Sequence, residues 1–381
     1  MALTLSTLPP LYPAYTQNLI FTAKESTAIN NYYYKIDVYM NGSIQDSFKY
    51  FASPLEYDAT INLSTILQLY FTSNVYIPTG NTICEIVPNS IIPYYVNVTC
   101  YNVTGGTVSS GHTATLYTFN GCENPEEVFN MQSFIMQSGS TGNWFTNNSA
   151  NRSITLNDYC YLSAVAGHYG SGYYANQYNS VFSGVSITAH YVNGSTTTIT
   201  ETFSDTGKNI INIDLSPAKL NSLHTNFITA NTLYYDVKEI NSRSTYAMRV
   251  EINNETKLRK FYNFIYLNRL GGQDCFSFTK VSQNDYKIAK SLLDQFLVQK
   301  VYYTKVDKTT TIQSQQISYL QMQGLNELFS SLAVKLWFNN YLADIRLINT
   351  GITVNDRYPK NVLLQFTAQI QYNNKYYIQL Y

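Results

Sequence analysis

Tyr32 to Met40 reads Tyr-Tyr-Tyr-Lys-Ile-Asp-Val-Tyr-Met and runs straight into Asn41-Gly42. Lys35, Asp37 and Tyr39 share one face of an extended chain, and Tyr34, Ile36, Val38 and Met40 share the other. Asn-Gly tolerates positive φ at both central positions of a tight turn. The chain must therefore double back into a second strand around Ile44 to Phe51. The same grammar continues downstream. Strands are expected around Ile83–Val87, Tyr94–Tyr101, Val185–Tyr191, Thr196–Phe203, Ile210–Leu215, Tyr234–Ile240 and Tyr246–Ile252. Others are expected at Val334–Phe338, Ala343–Ile348, Asn361–Gln371 and Tyr376–Tyr381. Short strands separated by Asn-Gly, Pro and Asn-Ser punctuation point to β-sandwiches.

Helix signals are sparse. Thr60 to Phe71 has room for a short helix after Ser64. Ile288 to Gln299 places Ile288, Leu292 and Phe296 on one helical face, and Leu325 to Ala333 is a shorter candidate. The expected fold is mainly β, with two or more β-sandwich-like domains, long loops and one or two short helices. At 381 residues the chain exceeds one ordinary domain. The reading divides it into an extended N-terminal arm (1–20, carrying Pro9, Pro10 and Pro13), a β-rich domain (21–104), a loop-rich connecting region (105–180) and a second β-rich domain (181–381). Gly167 to Tyr174 reads as a loop. Trp144, among small polar residues, reads as a loop anchor, with stacking on a sugar as the functional alternative.

Only 13% of residues are charged, about half the usual share, and 36 are Tyr. A surface of Tyr, Asn, Ser and Thr suits strands and subunit interfaces, although biased codon usage gives the same excess. The net charge is zero, but residues 1–151 carry nine acidic and three basic side chains, and none is basic between Lys49 and Arg152. A balanced total argues against specific nucleic-acid binding. The asymmetry suits head-to-tail packing of identical subunits. The five cysteines lack a C-x-x-C spacing, and their odd number fits free thiols. The N-terminus lacks the form of a signal peptide, and no apolar run is of membrane-spanning length, so no membrane insertion is expected.

No catalytic, cofactor-binding or metal-binding residues stand out, and the protein is read as a non-enzyme without cofactors. His112, His168, His190 and His224 are scattered and form no helical metal spacing. Cys275 with His224 is the one nucleophile pairing worth stating, but Cys275 falls in an alternating strand and reads as packing. The acid clusters are Asp285/Asp294 and Glu123/Glu126/Glu127.

The clearest hairpin spans Phe261 to Thr279. Phe264, Tyr266 and Asn268 alternate with Ile265 and Leu267, Gly271-Gly272 turn the chain, and Arg269 and Asp274 flank the turn as a candidate pair. Tyr262-Asn-Phe-Ile-Tyr-Leu-Asn-Arg-Leu-Gly-Gly-Gln-Asp-Cys-Phe-Ser-Phe278 resembles a phi-x-LNR-x-G-x-x-D-x-F-x-F hairpin of virion proteins from tailed phages of Bacteroidota, including crAss-like phages. Gln323 to Lys335 resembles their L-x-E-L-x-x-S-P-x-V segment, with Leu332-Ala333 in place of the Pro. Pro13-Ala-Tyr-x-x-Asn-Leu-Ile-Phe21 is similar to their opening. The resemblance implies a structural subunit of a virion, assembled in the host cytoplasm. It would be a ring-forming tail or neck protein between portal and tail that associates with copies of itself, twelve-fold by analogy, and with other tail or portal proteins. A receptor-binding or fibre protein contacting host glycans is the alternative.

Overall fold

Asn41 (φ 49°) and Gly42 (φ 79°) close a two-residue turn between strands Tyr33–Met40 and Ser43–Phe51, as their chemistry demands. The computed structural model describes residues 3–16, 19–26, 32–52, 57–122, 130–135, 143–146, 150–169, 179–204, 207–240, 247–253, 261–279, 281–295, 298–313, 319–338, 341–348, 367–372 and 376–377. The fold is mainly β, built as several sheets in β-sandwich-like units with few short helices.

In the first unit, a three-stranded sheet (Leu3–Leu5, Ile20–Glu25, Asp58–Asn62) is paired with a six-stranded one. The larger sheet runs Leu11–Tyr15, Leu116–Cys122, Ile91–Tyr101, Tyr33–Met40, Ser43–Phe51, with Thr107–His112 beside Ile91–Tyr101. Phe21, Ile36, Val38, Ile61, Val96 and Val98 meet in the core, each contributing about 1.5–3 kcal/mol. Pro9-Pro10 splits the N-terminal segment. Leu3–Leu5 pairs with Ile20–Glu25, and Leu11–Tyr15 runs parallel to Leu116–Cys122. The segment expected as an arm is extended, but its strands lie in sheets of its own chain. Pro13 sits on an edge strand, where its missing N–H costs no ladder bond.

The second unit pairs the sheet Asn151–Thr155, Met248–Asn253, Thr232–Glu239, Gly184–Tyr191, Thr196–Thr202 with the sheet Asn179–Ser180, Tyr161–His168, Asn209–Asp214, Cys84–Ile86. Leu162, Ile187, Ile211, Ile213, Tyr235 and Val237 fill its core. The edge strand Cys84–Ile86 comes from the first unit's connection between Asp58–Asn62 and Ile91–Tyr101, and it pairs antiparallel with Asn209–Asp214. The two units are thus stitched together.

The larger sheets of the two units share one topology, and the parallel to their sequences is local. Tyr39-Met-Asn-Gly-Ser43 answers to Tyr191-Val-Asn-Gly-Ser195, and Ile61-Asn-Leu-Ser64 to Ile213-Asp-Leu-Ser216, each 152 positions on. Both serines open a helix, Ser64–Leu67 or, one residue on, Pro217–Leu223. The Ser64 N–H donates to Asn62 Oδ1 and the Ser216 N–H to Asp214 Oδ1, both at 3.0 Å. Ser64 Oγ accepts from Thr16 N at 3.1 Å, and Ser216 Oγ from Cys160 N at 3.0 Å. The sandwich was used twice in tandem.

The third unit is an antiparallel sheet in the order Gln273–Thr279, Phe261–Leu267, Val334–Phe338, Tyr341–Ile348, Thr367–Tyr372, Val298–Gln313, Val281–Gln295, with Tyr376–Tyr377 added to Val298–Gln313. Helix Tyr319–Ser330 packs Leu325 and Leu328 against Phe264, Tyr266 and Leu336.

Several expectations need correction. Of the helix expected over Ile288–Gln299, 288–295 and 298–299 are instead strands of the ribbon Val281–Gln295/Val298–Gln313, and 296–297 lie outside the described residues. Residues four apart share a face in a strand as well as in a helix, so Ile288, Leu292 and Phe296 fit both periods. The Leu325–Ala333 helix instead spans Tyr319–Ser330. The 105–180 region carries strands Thr107–His112, Leu116–Cys122, Asn151–Thr155 and Tyr161–His168, so the boundaries expected at 105 and 181 cut through both sandwiches. Tyr161–His168 is buried at every position but the last and therefore shows no alternation. Of the expected Gly167–Tyr174 loop, Gly167 and His168 end that strand and 170–174 lie outside the described residues. So do 361–366 and 378–381 of the last two expected strands.

Candidate functional site

The hairpin Phe261–Leu267/Gln273–Thr279 is a wall with two buried faces. Tyr262, Phe264 and Tyr266 pack into the third unit's core, with Phe276 against them. On the other face, Cys275 enters the second unit's core, and Asn263 donates to the Tyr159 carbonyl at 3.0 Å. Gln273 N donates to Ser163 Oγ at 2.7 Å, and Ser277 Oγ donates to Asp158 Oδ2 at 2.9 Å.

Its turn is the joint of the molecule. Asn268 Oδ1 accepts from Leu270 N (3.0 Å) and Gly272 N (2.9 Å), folding the turn on itself. Asn268 Nδ2 donates to the Phe145 carbonyl and to Asp274 Oδ2, both at 2.9 Å. Gly271 holds φ +80°, and a Cβ there would stand 2.4 Å from the Asn120 carbonyl oxygen. Cys122 N donates to the Arg269 carbonyl at 2.6 Å, which ties the first unit's last strand to the turn.

Arg269 and Asp274 do not pair across the turn. Asp274, fully buried, ion-pairs with the Arg152 guanidinium and accepts from Thr146 Oγ1 at 2.6 Å. Burial opposes the Arg152 charge, but the Asp274 carboxylate prevails and its pKa rises. Arg269 ion-pairs instead with the buried Glu327 (Nε–Oε1, 3.1 Å), while Ser331 Oγ donates to the Leu267 carbonyl at 2.7 Å. The LNR hairpin and the L-x-E-L-x-x-S segment are two halves of one contact.

A crevice of about 340 Å³ opens beside this joint. Tyr15, Gly121, Cys122, Leu267, Arg269 and Leu332 line it, with Leu332 largely exposed at its rim. Among the described residues, its walls carry no acid–base pair. Its lining is mainly apolar.

The residues weighed for chemistry are dispersed. Cys275 is buried beside Cys160, and their shared hydrogen bond, followed by burial, pushes the Cys160 thiol up; the same bond lowers Cys275. With Cys275 1% exposed, no substrate reaches it. His224 instead meets Glu201 at 2.5 Å, His190 meets Asp236 at 3.4 Å, and His112 Nδ1 lies 2.9 Å from the Thr113 carbonyl. Asp285 and Asp294 both lie on Val281–Gln295, and Glu123, Glu126 and Glu127 fall outside the described residues. No three metal-ligating side chains cluster among the described residues. Trp144, 6% exposed, anchors its loop in the second unit's core and offers no face for a sugar. The Arg152–Asp274 and Arg269–Glu327 pairs escaped the sequence reading, because partners 122 and 58 positions apart leave no local signal.

No protein-family model and no curated protein matches the chain. Among solved structures, the fibronectin domains FN1–FN3 of chicken CNTN1 align over 81% of this chain and 91% of that one, at 8% identity and a TM-score of 0.19. A likeness so slight bears on no functional question.

Proposed function

We propose that the protein is a structural subunit of a tailed-phage particle: a ring-forming component of the tail or neck that assembles from copies of itself and docks other tail proteins. What carries the reading is the convergence of the two motif segments. Of the residues that prompted the resemblance, Asn268, Arg269, Gly271 and Asp274 lie where the three units meet, and Glu327 and Ser331 hold that turn from within the third unit. Residues placed this way fix a shape, which is what an assembly subunit needs. The apolar crevice at the joint and the charge asymmetry between the acidic first 151 residues and the basic remainder suit repeated docking of like subunits.

The test is negative-stain electron microscopy of the purified protein over a range of concentrations. Closed rings, twelve-fold by expectation, support the reading. Trimers on a glycan-binding protein would move it to the fibre class, and single chains at all concentrations would sink it.

A further inference from the structure

Residues 72–82 leave the first unit after Gln68–Tyr70 and reach the edge strand Cys84–Ile86 with no helix or strand of their own. They form a strap across the other two units. Val75, 6% exposed, packs with Tyr161 of the second unit and Ile265 of the third, and Ile77 and Leu342 close around them. Tyr76 Oη donates to Glu85 Oε2 at 3.1 Å. Lys219 Nζ donates to the Gly80 carbonyl and lies 3.9 Å from Glu85 Oε1. Tyr161 stands directly opposite Asp214 in the sheet, and Glu85 directly opposite Asn212. Directly opposed residues of antiparallel strands share a face, and so do residues two apart on one strand. The face that the strap covers is therefore the one that carries the Asp214 carboxyl.

Asp214 is buried, and its Oδ1 accepts from Ser216 N at 3.0 Å and from Ser216 Oγ. Among the described residues, the titratable groups that face it are Tyr159 and Tyr161, Tyr235 from Thr232–Glu239, Glu85 from the edge strand and Lys219 from helix Pro217–Leu223. Lys219 is the cation of this set, and it is engaged with Gly80 and Glu85. We propose that the strap is a proton-operated latch, closed over Asp214 while that carboxyl is protonated and lifting as it ionises. Lifting lets water solvate the carboxylate, which burial otherwise penalises. Burial holds the carboxyl up at about 6, so the closed form binds this proton more tightly than the open one. Closure is therefore fully supported below about pH 4 and loses support as pH rises through 6. The latch stands apart from the ring-forming reading and holds whether or not the chain assembles.

The test follows the reaction of N-ethylmaleimide with Val75→Cys and, separately, with Ile77→Cys, each in a Cys122→Ser background because the Cys122 thiol is exposed. Dividing each rate by that of Thr79→Cys, an exposed position on the same strap, removes the thiol's own pH dependence. If lifting restores an ordinary carboxyl, the open form is about tenfold more populated at pH 8 than at pH 5, and the rate ratio should rise by that factor. With Asp214→Asn added, the ratio should stay flat. Tyr76→Phe removes a tie to Glu85 that does not titrate in this range, so it should raise the ratio about fivefold at both pH values and keep the step between them. A ratio that is flat between pH 5 and 8 with Asp214 in place overturns the latch. So does a step that survives Asp214→Asn, or a ratio near one at both pH values in both cysteine variants.

Discussion

Replacing Asp214 with Asn should stabilise the protein at neutral pH and leave it unchanged in acid. Asp214 is 5% exposed at the end of strand Asn209–Asp214. Burial pushes its carboxyl up from 3.8 to about 6, against the hydrogen bonds from Ser216 and the charge of Lys219. A folded-state value above the unfolded one means that the folded chain holds this proton more tightly. The stability it contributes is therefore complete below about pH 4 and is lost as pH rises through 6. A shift of about two units corresponds to about 3 kcal/mol, carried as a cost by the ionised form. The first unit shows that Asn fits here, because Asn62 accepts the equivalent bond from Ser64 N at the same 3.0 Å. Asp214→Asn should then gain about 2–3 kcal/mol at pH 7.5 and nothing near pH 4. Urea unfolding followed by Trp144 fluorescence, in a Trp337→Phe background, reads the second unit directly. A variant that loses stability at pH 7.5, or a difference that does not change between pH 4 and 7, would refute the reasoning.

Three further outcomes follow from the joint. Asp274→Ala leaves the Arg152 guanidinium buried and unpaired and should cost about 3–5 kcal/mol in urea unfolding, most of it recovered in Arg152→Met/Asp274→Leu. Gly271→Ala should lose about 3 kcal/mol or more, since left-handed strain adds to a collision with the Asn120 carbonyl. Gly42→Ala, with open space around it, should cost only about 1 kcal/mol in the same assay. Glu327→Gln, which weakens the tie to Arg269, should cost about 1–2 kcal/mol and speed amide exchange in the turn 268–272.

The strands that alternate were legible, and so were the Asn-Gly turns, because one face of each meets a core while the other meets water. Tyr161–His168 was not, since burial of both faces erases the period. The ribbon at 281–313 was read in part as helix because its apolar positions satisfy both periods. The tandem sandwiches were hidden because few residues repeat beyond those at the two turns; packing, and not identity, carries the plan. At the joint, Gly271-Gly272 announced a turn, and the alternation announced its two faces. What each charge meets was invisible, because long-range pairing follows from how the units dock.

The central claim is that this chain is a building block of the tail or neck, and gold-labelled antibody on purified phage particles in negative stain tests it most directly. Label at the neck or tail barrel is the predicted result. Particles that carry no label there, or that carry it only at fibre tips, would contradict the account.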